Sequence, residues 1–141
     1  MKPSKTPCRV FLDANVLFSA AYREDAGLAR LWKLHPVQLV TSEYAAQEVR
    51  NNLPELAQQL RLEQLLQSVE RVNAALHPAP MAGVSLPEKD WPILHAAIVA
   101  QAQYLLTGDA RHFGAYFGKT LSGVRVERPA EFLRQFLARH T

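Results

Sequence analysis

Asp13, Glu48, Asp90 and Asp109 are the residues whose type and setting point to chemistry. Asp13 follows Val10, Phe11 and Leu12, an apolar run with no polar alternation that suits a strand buried on both faces of a parallel sheet. Open α/β sheets bind ligands beyond the carboxyl ends of their strands, so a carboxylate there is half shielded yet reachable by a metal ion or substrate. Asp109 repeats the arrangement after Tyr104, Leu105, Leu106 and Thr107. Two neighbouring parallel strands would bring these two carboxylates within a few ångströms. Asp90 precedes Leu94 by one helical turn and Ala97 by two, which extends the apolar stripe of its helix toward one rim. Glu48 stands beside the apolar side of another helix, three residues after Ala45 and one before Val49. Each acid also has a plainer reading. Asp13 or Asn15 shapes a turn or caps a helix, Asp109 caps the helix that begins at Ala110, Asp90 is a first-turn acid favoured by the helix dipole, and Glu48 is solvated.

The elements that must carry these acids alternate between strand and helix. After Asp13, residues 14–21 are small and apolar and suit a short helix, broken by Glu24, Asp25 and Gly27. Leu28, Leu31 and Trp32 recur at helical spacing until His35 and Pro36. Residues 37–41 predict a second strand, with Ser42 as N-cap and Glu43 at the positive end of a helix reaching about Leu53. An amphipathic helix over 54–71 follows, a packing face or a partner-facing arm. Residues 72–76 are read as a third strand and 77–83 as loop. Ser85, Leu86, Pro87 and Glu88 offer a capping box for the helix that carries Ile93, Leu94, Ala97 and Ile98. A fourth strand over 104–107, a short helix over 110–117, a fifth strand over 124–127 and a helix from Pro129 complete the chain. The alternation implies parallel crossovers in a three-layer α/β/α domain.

The totals narrow the function classes. The 141 residues suit one domain over 1–141, with 1–8 expected to be a flexible tail. No apolar run reaches the roughly 20 residues of a membrane helix, and the run after the basic N-terminus is too short for a signal peptide. The single cysteine, Cys8, excludes an internal disulfide and fits a reducing cytoplasm. A net charge of +3 with scattered Lys and Arg tolerates a polyanionic partner without demanding one.

Four segments carry a family resemblance: Arg9-Val-Phe-Leu-Asp13-Ala-Asn15-Val-Leu, then Glu48-Val, then Asp90-Trp-Pro-Ile-Leu-His-Ala-Ala, then Leu106-Thr107-Gly108-Asp109. Their order and placement resemble the PIN domain, and most closely the bacterial group of predicted VapC-like ribonucleases. The likeness extends from Arg9 to the closing Pro129-Ala-Glu-Phe-Leu segment. It implies a parallel five-stranded sheet flanked by helices, with a metal-dependent nuclease site at its carboxyl edge. The acidic metal-site roles pass to Asp13, Glu48, Asp90 and Asp109, and the polar supporting roles to Asn15 and Thr107. Ala14 departs from the family, where a hydroxyl residue is frequent, and is expected to loosen one local hydrogen bond.

The chemistry agrees with that resemblance. Carboxylates gathered without cationic partners repel, and a divalent cation removes the penalty. Oxygen ligands without Cys or paired His favour Mg²⁺ or Mn²⁺ over zinc. His35, His77, His95, His112 and His140 show no metal-ligand spacing; His112 is within reach from beyond Asp109, but a surface or packing role is the expectation. In the implied hydrolysis of RNA, Asp13 and Asp109 hold the metal most directly. Asp90 completes that shell or binds a second ion, Glu48 orients or activates the water, and Asn15 and Thr107 fix carboxylate orientation. The expected function is a cytoplasmic ribonuclease, the toxin of a toxin–antitoxin pair, with RNA as substrate, a small antitoxin as partner and a homodimeric state. A PIN-like module without catalysis, serving RNA binding or protein interaction, is the alternative. A phosphoaspartyl phosphatase would need an acid where Asn15 stands, and a receiver domain would need an acid pair at the first strand.

Overall fold

The computed structural model describes residues 7–139. Strand β1 (Cys8–Leu12) leads into helix α1 (Ala14–Tyr22), a 3₁₀ segment (Gly27–Lys33), β2 (Val37–Ser42), α2 (Glu43–Asn52), α3 (Leu56–Leu66) and β3 (Glu70–Val72). A 3₁₀ turn (Glu88–Asp90) then opens α4 (Trp91–Val99), followed by β4 (Tyr104–Leu106), α5 (Ala110–Phe113), β5 (Thr120–Leu121), β6 (Val124–Glu127) and α6 (Pro129–Arg139). The sheet order is β3-β2-β1-β4-β6-β5, with every pairing parallel except β5 with β6. Val10, Phe11 and Leu12 are fully buried, as their unbroken apolar run requires of a central strand. Helix α1 packs against both α2 and α3, while α4 packs against β2 and β4.

The chain builds outward from β1 to β2 to β3, then returns across β1 to lay down β4. The strand order therefore reverses between β1 and β4, and in α/β sheets such a reversal opens a crevice at the carboxyl ends. Asp13 and Asp109 leave the sheet at this point, with Leu12 and Leu106 paired in register.

The sheet has six strands where five were expected. The additional strand, β5, is two residues long and joins β6 through Ser122 and Gly123, both at positive φ (48° and 86°), as a two-residue hairpin turn needs. Two residues are too few to show a strand period. The third strand falls at Glu70–Val72 rather than 72–76, because α3 stops at Leu66 and the chain pairs at once with β2. As an edge strand it exposes Glu70 and Arg71, so it lacks the apolar pattern of a buried one. The helix expected over 28–34 is a 3₁₀ segment that buries Leu31. Ser42 caps α2 as predicted, accepting from the Ala45 amide at 3.1 Å. Ser85 caps nothing; its amide donates to Tyr116 Oη at 2.7 Å. The expected tail over 1–8 lies outside the described residues up to position 6, whereas Cys8 already pairs with Val37 in the sheet. Among the described residues, no helix is long and apolar enough to cross a membrane.

Candidate active site

Asp13 stands at the reversal. Its amide donates to Leu106 O at 3.0 Å, which ties the exit of β1 to β4. Oδ1 accepts from the Ala14 amide at 2.6 Å, so the acid does cap α1. Oδ2 accepts from Thr107 Oγ1 at 2.9 Å and from Asn15 Nδ2 at 3.1 Å. Asn15 Oδ1 in turn accepts from the Gly108 amide at 2.8 Å, and Thr107 Oγ1 accepts from the Asp109 amide at 3.1 Å. Asn15 and Thr107 thus join two exit loops that are distant in sequence and hold the Asp13 carboxylate in one orientation.

Asp109 likewise caps its helix, with Oδ1 accepting from the His112 amide at 3.0 Å. Its Oδ2 remains directed at the same residue, 2.8 Å from His112 Nδ1. Asp90 Oδ2 approaches that nitrogen from the start of α4, at 2.9 Å. Neither contact is aligned as an N–H···O hydrogen bond, and both Asp90 Oδ2 and His112 Nδ1 are buried without an aligned partner. One ligand atom from each of Asp90, Asp109 and His112 lies within 4.8 Å of the other two. Sequence reasoning gave His112 a surface or packing role. Its position one turn after Asp109 was the available signal, since i and i+3 share a helix face.

All four acids line one cavity of about 700 Å³, with Asn15, Lys89 and Gly108 among the other walls. Thr107 sits behind it, fully buried. Asp13 and Asp90 are buried, Asp109 is half-buried, and Glu48 on α2 is exposed at the rim. Burial pushes the Asp13 carboxyl up to about 6, against the hydrogen bonds from Thr107 and Ala14, and the charges of Asp90 and Glu48 push the same way as burial. Burial also raises the Asp90 carboxyl, an effect that His112 partly offsets. Tyr44 feels the same negative field: burial raises its phenol first, and Glu48, Asp90 and Asp13 add to the shift. Among the described residues, no Lys or Arg forms an ion pair with any of the four acids; Asp90 and Asp109 both approach the His112 ring, and the charge of Lys89 acts on Asp90 from the cavity wall.

Such a donor set suits a divalent cation. A buried carboxylate oxygen without an aligned partner is costly until something positive meets it, and carboxylates without basic partners repel one another.

A family model for the PIN domain matches residues 9–111. Among solved structures, the fold is similar to VapC20 of Mycobacterium tuberculosis, a sarcin-ricin loop cleaving toxin. That match has a TM-score of 0.55 at 14% identity and covers 75% of this chain and 94% of the other. It is also similar to VapBC2 of Rickettsia felis, solved bound to a DNA fragment from its promoter. Here the TM-score is 0.60 at 15% identity, with 85% of this chain and 98% of that one covered. A search of curated proteins gave no match.

Proposed function

The chain belongs to the PIN domain family, and from that premise we propose that it is an endoribonuclease dependent on Mg²⁺ or Mn²⁺, acting through the acid-lined cavity. The observation that carries this reading is the convergence of four carboxylates from separate segments on one cavity, where no Lys or Arg among the described residues forms an ion pair with them, although the charge of Lys89 acts on Asp90 from the cavity wall. When bound, the cation would supply the positive charge that makes a water acidic enough to attack phosphorus and that offsets charge developing on the phosphate. Asp13 and Asp109 would hold it most directly, with Asp90 completing the set. Asn15 and Thr107 keep the Asp13 oxygens turned toward the cavity. Glu48, exposed at the rim, is the acid best placed to orient the attacking water and take its proton. Residues 1–141 would act as a single nuclease domain.

The VapBC2 neighbour is a complex, and by analogy this chain would be the cytoplasmic toxin of a toxin–antitoxin pair and a homodimer. Leu56 and Leu60 are exposed on α3, at 71% and 58%, in the region expected to face a partner. The non-catalytic alternative finds support in one observation: both Asp13 oxygens already accept hydrogen bonds from the protein. One experiment decides between them. Purified protein should cleave RNA with Mn²⁺ and stop with EDTA, and Asp13→Asn should be inert while still folded. Sequencing the new RNA ends identifies the substrate. Full activity in Asp13→Asn would overturn the reading.

A further inference from the structure

We infer that His112 is itself a ligand of the cation, through Nδ1, making the site a mixed carboxylate–imidazole centre that prefers Mn²⁺ to Mg²⁺. The inference rests on the metal-dependent reading above and adds to it a residue outside the expected acid set.

Three observations carry it. First, α5 is a single turn whose geometry is fixed at both ends. Asp109 caps it through the His112 amide, and Phe113 anchors it in the core, fully buried. The imidazole therefore has a set position relative to Asp109. Second, Nδ1 lies 2.8 Å from Asp109 Oδ2 and 2.9 Å from Asp90 Oδ2. Ligand atoms at adjacent corners of an octahedron with bonds of about 2.0–2.1 Å are separated by roughly 2.8–3.0 Å. Third, the nitrogen and Asp90 Oδ2 are buried without an aligned partner, and Asp90 as a whole is only 7% exposed. An imidazolium that merely bridged two carboxylates would direct its N–H along one of them, because an aligned charge-assisted bond is the strong one. Here the ring's donor direction misses both. A lone pair in that direction would meet a cation shared with the two acids.

The chemical consequence is selectivity. Carboxylates alone accept Mg²⁺ and Mn²⁺ alike, whereas an imidazole nitrogen suits first-row transition ions and contributes little to Mg²⁺. His112 would also anchor the ion from the α5 side, leaving the rim beside Glu48 for water and substrate.

The test uses the full chain, stripped of metal with EDTA and loaded with Mn²⁺ or Mg²⁺ alone. Isothermal titration gives both affinities for the unmodified protein, His112→Gln and Asp90→Asn. His112→Gln keeps the backbone amide that Asp109 caps and is expected to weaken Mn²⁺ binding by about 10–100-fold, the range for groups that support a metal site, with a much smaller change for Mg²⁺. Electron spin-echo spectroscopy of bound Mn²⁺ gives a second readout that requires no substitution. It should show a directly bound nitrogen whose signal changes when the protein is made with nitrogen-15-labelled histidine, and the signal should be absent in His112→Gln. Tight Mn²⁺ binding that needs Asp90 but shows no bound nitrogen and an unchanged Mn²⁺/Mg²⁺ ratio would overturn this inference and leave the metal site standing. No Mn²⁺ binding at all, or binding indifferent to Asp90→Asn, would overturn both.

Discussion

Raising the pH of the metal-free protein through 6 should destabilise it through the buried carboxyl of Asp13, with Asp90, whose carboxyl burial also raises, adding to the loss. Its carboxyl moves from 3.8 to about 6 in the folded protein, chiefly because it is buried. A shift of about two units at 1.36 kcal/mol per unit corresponds to about 3 kcal/mol. The folded pKa lies above the unfolded one, so the folded state holds the proton more tightly. The contribution is complete below 3.8 and is lost as pH rises through about 6. Exposed acids such as Glu63 and Glu70 are shifted the other way by Arg50 and Arg9, but surface pairs of that kind are worth roughly 1 kcal/mol or less. Asp13→Asn removes the ionisation. The amide must also turn one N–H toward either the Ala14 amide or the Thr107 and Asn15 donors, a penalty that does not vary with pH. The pH-dependent part of the difference between the two proteins therefore isolates Asp13. Part of the contribution is already lost at pH 4.5, so calorimetry in EDTA at about pH 4.5 and about pH 8 spans about 2 kcal/mol of it and should show the unmodified protein losing roughly 4–8 °C more than Asp13→Asn, at 2–4 °C per kcal/mol for a chain of this size. Adding Mn²⁺ at the higher pH should restore the unmodified protein and leave the variant unchanged. A difference curve flat from acid to alkali would refute the assignment of a costly buried charge to Asp13.

Thr107→Val keeps the side-chain shape but removes the donor to Asp13 Oδ2 and the acceptor for the Asp109 amide. Urea unfolding should register a loss of about 1–3 kcal/mol, and Mn²⁺ titration a drop in affinity of about 10–100-fold. Glu48→Gln changes an exposed rim residue, so unfolding should move by less than about 0.5 kcal/mol. Single-turnover RNA cleavage by the same variant should slow by about 10²–10⁴-fold, as expected on losing an acid–base group. Gly123→Ala puts a side chain where φ is 86° and where nothing lies within 4 Å, so its cost is backbone strain alone, about 1–2 kcal/mol by thermal denaturation, with cleavage unaffected.

The two strand-end acids were legible in the sequence because each closes an apolar run that only a central parallel strand would need. The capping by Ser42, the last strand and the helix from Pro129 were legible for similar local reasons. Where the environment is set by distant residues, local pattern said less. Edge strand β3 is polar because one flank meets solvent, and β5 exists only because a tight turn folds it onto β6. The four residues from Ser85 spell a capping box, yet Tyr116 takes the Ser85 amide and the helix starts later. The sequence points His112 to a surface or packing role because nothing near it in sequence shows that Asp90 arrives at its ring. Its spacing from Asp109 was visible; the second acid was not.

The Gly108 and Asp109 amides sit in a loop beyond β4, yet each donates to a side-chain oxygen, Asn15 Oδ1 and Thr107 Oγ1, as strand amides donate to a neighbouring strand. In hydrogen–deuterium exchange they should resist like sheet amides despite their position at the surface. One wall of the cavity is consequently stiff, stitched to the sheet from both sides. Any widening to admit a nucleic-acid strand would come from the opposite wall, where α2 carries Glu48.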